Sequence, residues 1–359
     1  MFSGLTETMI IAEIGVNHDG ILSKAKELIH AAHECGASLV KYQAFNVESL
    51  VGKDSPTPAY QSERLQKTQY EILKTLEFSY SQQEELFSYA QSIGVQLFAT
   101  PFDLDALHFL VNIMKVPLIK ISSGDINNSR LLYSVGSTRL PTILSTGASV
   151  TSDIDYALSI LFLGRNQYPV PKDLESAVYM ADYSSANWMM DGLLHCTSQY
   201  PAPFEDLNLN SIGFLSKAYK LPVGLSDHSL GIEACIAAVA LGAKILEKHL
   251  TLDRKSRGPD HYASLDPHEF SQLVSSVRNI EKAMGEFEKR ITPSELSNRN
   301  LIRRSVYAAQ DITAGNRIDE SDLVMLRPHV IDEHPHNYWS LVGSIAKRSF
   351  LKGEIVRNL

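Results

Sequence analysis

Short apolar runs alternate with amphipathic stretches along most of the chain. Strands are predicted at 9–14 (MIIAEI), 38–43 (SLVKYQ), 95–100 (VQLFAT), 117–122 (PLIKIS), 141–146 (PTILST), 192–197 (GLLHCT), 221–226 (LPVGLS) and 244–249 (KILEKH). Helical periodicity fills the intervals, as in SKAKELIHAAHECG (23–36) and SQQEELFSYAQSIG (81–94). The second opens on Ser81 with Glu84 three positions later, a capping-box pattern, and stops at Gly94. A final long helix is bracketed by Asp266-Pro267 and Gly285. Eight βα units in succession predict an α/β fold of the closed (β/α)8 barrel type, not an open doubly wound sheet.

After Gly285 the rhythm changes. The charged stretch over 286–301 reads as a linker, and the short β-like pieces with glycine turns that follow predict a small β-rich domain over 302–359. The barrel then occupies 1–285. One connection, 164–187, is longer than such a barrel needs and reads as a surface excursion.

Composition narrows the function classes. In 359 residues, 44% hydrophobic content leaves material for one large core and one small one. A net charge of −8 argues against a nucleic-acid surface, which needs clustered Lys and Arg, but leaves room for a small anionic ligand. Cys35, Cys196 and Cys235 are unclustered, as expected of reduced thiols in the cytoplasm. The start, MFSGLTETMI, lacks a basic segment followed by an apolar one, and no uncharged apolar run approaches the roughly 20 residues of a membrane span. A soluble cytoplasmic protein without membrane partners is the expectation.

In a barrel, chemistry gathers at the C-terminal ends of the strands. Those positions hold Glu13, Lys41, Gln43, Thr100, Lys120, Ser123, Ser145, Thr146, the segment His195–Tyr200, Ser226, His228 and His249. One strand-end lysine is usually solvated, and one histidine in an apolar context is usually a hydrogen-bonded core group. Polar residues at every strand end favour a site instead. Lys41 and Lys120 with the hydroxyls of Thr100, Ser123, Ser145 and Ser226 suit a phosphate or carboxylate, whose oxygens only accept hydrogen bonds. His228 and His249 end adjacent strands and are candidates to share a divalent metal in an open site. Glu13, Asp125 and Asp260 are the carboxylates available for proton handling or for gripping a sugar hydroxyl. His18 and His195 are further candidates to line the site, whereas His30 and His33 fit an exposed helix face. A lysine Schiff-base aldolase, using Lys41 or Lys120, and a non-catalytic binding protein are the competing classes.

The motifs AEIGVNHDG (12–20), VKYQAF (40–45), KISSGD (120–125), ILSTGA (143–148), LHCTSQYPAPFEDLNL (194–209), GLSDHSLG (224–231), EKHLTLD (247–253) and GPDHYASLDPHEF (258–270) resemble, in order, those of the sialic acid synthases and their bacterial nonulosonate relatives. The segment 303–328 is similar to their small antifreeze-like (SAF) domain. This resemblance implies a metal-dependent condensation of phosphoenolpyruvate with N-acetylmannosamine, or with 2,4-diacetamido-2,4,6-trideoxymannose in the legionaminic branch. The GPDH motif fits both of those branches better than the pseudaminic one. It assigns phosphoenolpyruvate to Lys41, Thr100, Lys120, Ser123, Ser145, Ser198 and Ser226, and the sugar to Gln43, Tyr200, Asp260 and Arg327. It further implies Mn2+ or Mg2+ on His228 and His249 and a domain-swapped homodimer; for the proton handling that this chemistry needs, Glu13 and then Asp125 are the candidate catalytic carboxylates. Three features depart from the family pattern: Asp125 where Glu is frequent, Ser198 where Asn occurs, and RPHVIDEHP (327–335) in place of a glycine-rich loop.

Overall fold

The computed structural model describes residues 6–56, 67–173, 192–327 and 338–357. The chain falls into two compact units, Met1–Gly285 and Glu286–Leu359. The larger is a closed barrel of parallel strands in sequence order, β1 to β8, so the expected (β/α)8 topology is the observed one.

The strands are β1 (Met9–Gly15), β2 (Leu39–Ala44), β3 (Leu97–Pro101), β4 (Ile119–Ile121), β5 (Thr142–Ser145), β6 (Gly192–Cys196), β7 (Val223–Asp227) and β8 (Ile245–His249). Side chains alternate between the two faces of each strand. One set, including Ile10, Ile14, Val40, Tyr42, Ile119, Leu144, Leu193, Leu225 and Leu246, packs into the large core between sheet and helices. The other set faces the barrel axis, where Ile11, Leu39, Phe98, Leu118, Ile143, Leu194 and Ile245 form a separate apolar plug. At this level β7 contributes Gly224, because a Cβ there would come within 2.0 Å of the Ile245 carbonyl oxygen. Burial of each large apolar side chain contributes roughly 1.5–3 kcal/mol, which makes the plug the floor on which the polar layers rest.

Helix boundaries follow local chemistry. Asp266 caps the helix Pro267–Met284 with a full capping box to Glu269, and Gly285 with φ +57° ends it, as the sequence predicts. The helix expected to start at Ser81 begins two residues earlier. Ser79, not Ser81, is its cap, and Gln82, not Glu84, closes the box over Tyr80–Ser92. The sequence offers both Ser–x–x–Glu and Ser–x–x–Gln, and the earlier pair lengthens the helix by two residues.

In the smaller unit, β9 (Ser305–Ala308) pairs antiparallel with β10 (Leu323–Leu326) over a core that includes Val306, Ile312, Ile318, Phe350 and Val356. The stretch expected to be a linker contains a helix, Pro293–Ile302. Most of the 164–187 excursion lies outside the described residues; the helix Thr151–Arg165 runs into its start. The loop after Arg327 also lies outside them. Among the described residues, no helix is long and apolar enough to cross a membrane.

Candidate active site

One step of strand period above the apolar plug, two residues further along each strand, every inward position turns polar. That layer is Glu13, Lys41, Thr100, Lys120, Ser145, Cys196, Ser226 and Glu247, and all of these line one inner cavity of about 50 Å3. A second step brings Gln43, Phe102, Ser122, His228 and His249 to the cavity rim. The anion-binding set and the histidine pair expected from the sequence are therefore neighbours, built by two registers of one pleat.

The charges in the inner layer are paired. Lys41 Nζ lies 2.5 Å from Glu13 Oε2 and 3.7 Å from Glu247 Oε1, and it donates to Thr100 Oγ1 at 3.2 Å. Lys120 Nζ sits 3.9 Å from Glu247 Oε2 and donates to the Ile121 carbonyl at 3.1 Å. The Ser226 hydroxyl donates to Glu247 Oε1 at 3.0 Å. Burial raises the Glu13 carboxyl above its ordinary range despite Lys41. Burial acts the same way on Glu247, but Lys120 and Lys41 together outweigh it and hold that carboxylate low. Burial also depresses Lys120, whereas for Lys41 the two carboxylates overcome burial and raise it. Buried Ser145 Oγ and Glu247 Oε2 have no hydrogen-bond partner, so the layer retains unmet polar capacity for a ligand.

Above this layer Ser123 and Ser198 approach each other, Oγ to Oγ, at 3.3 Å. Gly147 stands against them: a Cβ there would meet Ser198 Oγ at 2.2 Å and Ser123 Oγ at 3.1 Å. The two hydroxyls and a bare backbone thus form a cradle at the mouth.

The rings of His228 and His249 lie 5.5 Å apart, and Tyr200 stacks on His228 at 4.0 Å. His228 Nδ1 donates to the Thr197 carbonyl at 2.8 Å, which leaves Nε2 as a lone-pair donor. Burial pushes His228 down to about 4, and His249 well below its ordinary value. Both shifts favour the uncharged imidazole, the form that binds metal. His249 Nδ1 is buried without a hydrogen-bond partner, 3.6 Å from Asp260 Oδ2. The pair offers two imidazole donors and would leave the other positions of a divalent ion to substrate and water; among the described residues no cluster of three or more His, Cys, Asp or Glu surrounds a common point.

Gln43, Ser123, Ser198, Tyr200 and Asp260 line a wider outer cavity of about 500 Å3, which shares Gln43, Phe102, Ser122, Ser123 and Tyr200 with the inner one. Burial, then the Glu13 charge, raises Asp260 to about 7. Other expected residues are placed elsewhere. Asp125 lines neither cavity; Asn128 donates to its Oδ1 at 3.0 Å. Arg327 is exposed at the end of β10 in the small unit.

The two expected extra histidines do not line the site. His195 turns outward and its Nε2 meets the Leu207 carbonyl at 2.6 Å, while His18 stacks on Phe78. Thr146 points away too, donating to the Leu194 carbonyl. Conversely, Glu247 and Phe102 line the inner cavity although neither is among the strand-end candidates, and Cys196 is the member of the segment His195–Tyr200 that reaches the inner layer. Glu247 stands two residues before His249 and so shares its face, a signal available from strand period alone.

Comparison with known proteins sets this geometry in context. A model described as the NeuB family matches residues 28–289, and a SAF domain model matches 303–358. The N,N'-diacetyllegionaminic acid synthase of Legionella pneumophila is 40% identical over 323 residues, covering 89% of this chain and 85% of that protein. N-acetylneuraminate-9-phosphate synthase of Mus musculus is 37% identical over 336 residues, covering 93% and 87%. The crystal structure of the sialic acid synthetase of Leptospira borgpetersenii in complex with citrate superposes with a TM-score of 0.67 at 34% identity, covering 83% of this chain and 93% of that one.

Proposed function

The chain belongs to the NeuB family of nonulosonate synthases, and from that premise we propose that it condenses phosphoenolpyruvate with the open-chain aldehyde of an N-acylated mannosamine. N-acetylmannosamine would give N-acetylneuraminate. The relative at 40% identity, named a legionaminic acid synthase, equally supports 2,4-diacetamido-2,4,6-trideoxymannose. The observation that carries the proposal is the inner layer, where two buried lysines and convergent hydroxyls adjoin the paired imidazoles of His228 and His249.

Lys41 and Lys120, with Thr100, Ser145 and Ser226, grip the phosphate and carboxylate of phosphoenolpyruvate, and Ser123 and Ser198 supply donors at the mouth. Gln43, Tyr200 and Asp260 hold the sugar in the outer cavity. His228 and His249 would hold a divalent ion, Mn2+ or Mg2+, which supplies Lewis-acid polarisation of the aldehyde oxygen. C3 of phosphoenolpyruvate attacks the aldehyde carbon, water adds at C2, and the C2–O bond to phosphate breaks. Glu13 lines the cavity and Asp125 does not, which supports Glu13 as the group that takes the proton of the attacking water. Its raised affinity for protons suits that role. By the family resemblance we extend the proposal to a homodimer in which the partner subunit's Arg327 reaches the sugar; a single-chain mass in sedimentation would remove that extension.

The test is phosphate release by EDTA-treated protein supplied with phosphoenolpyruvate and either sugar. Release that needs both a sugar and restored Mn2+ is expected. Metal-independent turnover with a borohydride-trapped lysine adduct would instead establish a Schiff-base aldolase.

A further inference from the structure

The NHDG segment (17–20) after β1 takes no part in the chemistry above, yet each of its residues is held by a different contact. The Asn17 amide donates to the Leu250 carbonyl at 2.9 Å and to Ser264 Oγ at 2.8 Å. His18 stacks on Phe78, with ring centroids 4.2 Å apart. Asp19 accepts from His261 Nε2 at 3.0 Å and from Lys24 Nζ at 2.5 Å. Gly20 has φ +73°, and a Cβ there would come within 2.1 Å of the Thr75 carbonyl oxygen. The segment therefore joins the chain around Thr75 and Phe78 to the chain that follows β8. That second partner leaves β8 at His249 and returns at Leu265, whose N–H donates to the His249 carbonyl at 2.9 Å. Asp260 lies in the excursion between them, with Oδ2 3.6 Å from His249 Nδ1. Its carbonyl accepts from Ser264 Oγ at 2.7 Å, the same hydroxyl that accepts from Asn17. Beside it His261 is fully buried, with Nδ1 2.7 Å from the Thr251 hydroxyl and Nε2 on Asp19. Gly258 makes room for that pair: a Cβ there would stand 2.6 Å from His261 Cδ2 and 3.2 Å from Asp19 Oδ1.

We propose that the NHDG segment is a clamp that sets the Asp260 carboxyl against the sugar, with Asp19 and His261 as positioning residues. The inference rests on the synthase reading above, in which Asp260 holds the sugar, and adds the device that holds Asp260. An excursion closed only at its base leaves its middle many backbone states, and ordering them at each encounter costs affinity. Here the residue is fixed from both flanks before the sugar arrives, by Ser264 on its carbonyl and by the Asp19–His261 pair on its neighbour. Neither Asp19 nor His261 lines the inner or the outer cavity, so both act through Asp260 and not by touching substrate. The clamp bears on the sugar alone, because the lysines and hydroxyls of the inner layer are set by the strands themselves.

The experiment measures phosphate release with Mn2+ and whichever of N-acetylmannosamine and 2,4-diacetamido-2,4,6-trideoxymannose the wild type uses better, alongside calorimetric binding of phosphoenolpyruvate. Asp19→Ala and His261→Ala should each raise the sugar KM about tenfold, the scale of one lost hydrogen bond to a charged group, while the Kd for phosphoenolpyruvate stays within about twofold. Asp19→Asn keeps an acceptor for His261 Nε2 and should bring the sugar KM back close to the wild-type value. Ser264→Ala is the milder variant, removing only the hydroxyl between Asn17 and the Asp260 carbonyl, and should raise the sugar KM by about threefold. KM does not depend on the folded fraction, so a variant that folds poorly still reports. A contact that merely stabilises the fold would lower kcat through the active fraction and leave the sugar KM alone. That result in all the alanine variants, or a loss of phosphoenolpyruvate binding as large as the loss of sugar binding, would overturn the clamp and leave the synthase reading intact. No phosphate release by the wild type with either sugar would overturn both.

Discussion

At the residue scale, the sign of the charge decides what each member of the inner layer does for an anionic substrate. Lys120 is buried, with burial lowering its proton affinity and Glu247 opposing that shift. Lys120→Gln removes a cation from a desolvated anion pocket, a loss on the order of 2–5 kcal/mol, so the Kd for phosphoenolpyruvate should weaken at least ~30-fold. Glu247→Gln removes a negative charge from the same pocket. Calorimetric binding should therefore find phosphoenolpyruvate held as well as or better than in the wild type, with turnover slowed because the lysines lose their common anchor. Weaker binding in Glu247→Gln would show that the carboxylate acts mainly by keeping the lysines charged. This pairing was only half legible in the sequence. The lysines are visible as strand-end cations, but that Glu247 bridges them depends on β8 closing against β1 across the barrel, a neighbour relation of distant segments. The outward turn of His195 was legible by strand period, because it alternates with Leu194 and Cys196, which point inward.

At the scale of elements, the ends of β7 and β8 are fastened together behind the histidines. Lys248 and Asp227 point away from the axis and meet at 2.6 Å, both fully buried. Ser229 donates twice to Asp227 Oδ1, from its backbone at 2.8 Å and its hydroxyl at 2.7 Å, and its carbonyl accepts from Lys248 at 2.6 Å. Lys248 thus makes two hydrogen bonds and both Asp227 oxygens accept, which is what makes a buried ion pair tolerable. Lys248→Met leaves Asp227 buried without its counter-charge and should destabilise the barrel by about 3–5 kcal/mol in urea unfolding. The double variant Asp227→Asn, Lys248→Met should lose clearly less than the sum of the single variants, because the orphaned charge is gone. Additive losses would mean that the two side chains act separately. The strands themselves were readable because apolar runs, turn residues and caps agreed. The start of the helix Tyr80–Ser92 was not, since two overlapping capping boxes compete and only packing decides between them.

At the scale of the molecule, the change of rhythm after Gly285 coincides with the division of the chain into its two compact units. What the rhythm missed was the helix Pro293–Ile302. Its run of small and polar residues gives it little apolar face, so periodicity carries no signal there, although Thr292, Pro293 and Glu295 spell a helix start. Each unit closes an apolar core of its own. The barrel's centres on Ile14, Tyr42, Leu144 and Phe270, and the small unit's on Val306, Ile318 and Phe350. Separate cores of very different size bury different amounts of apolar surface, and cooperative unfolding extends only as far as a shared core. Differential scanning calorimetry should therefore resolve two transitions, and Phe350→Ala should move only that of the small unit. Cavity formation at a fully buried Phe costs about 3–5 kcal/mol, enough to lower that transition well clear of the other. A single transition that shifts as a whole in Phe350→Ala would mean that the units share one cooperative fold, and that the small domain's stability is set by the barrel.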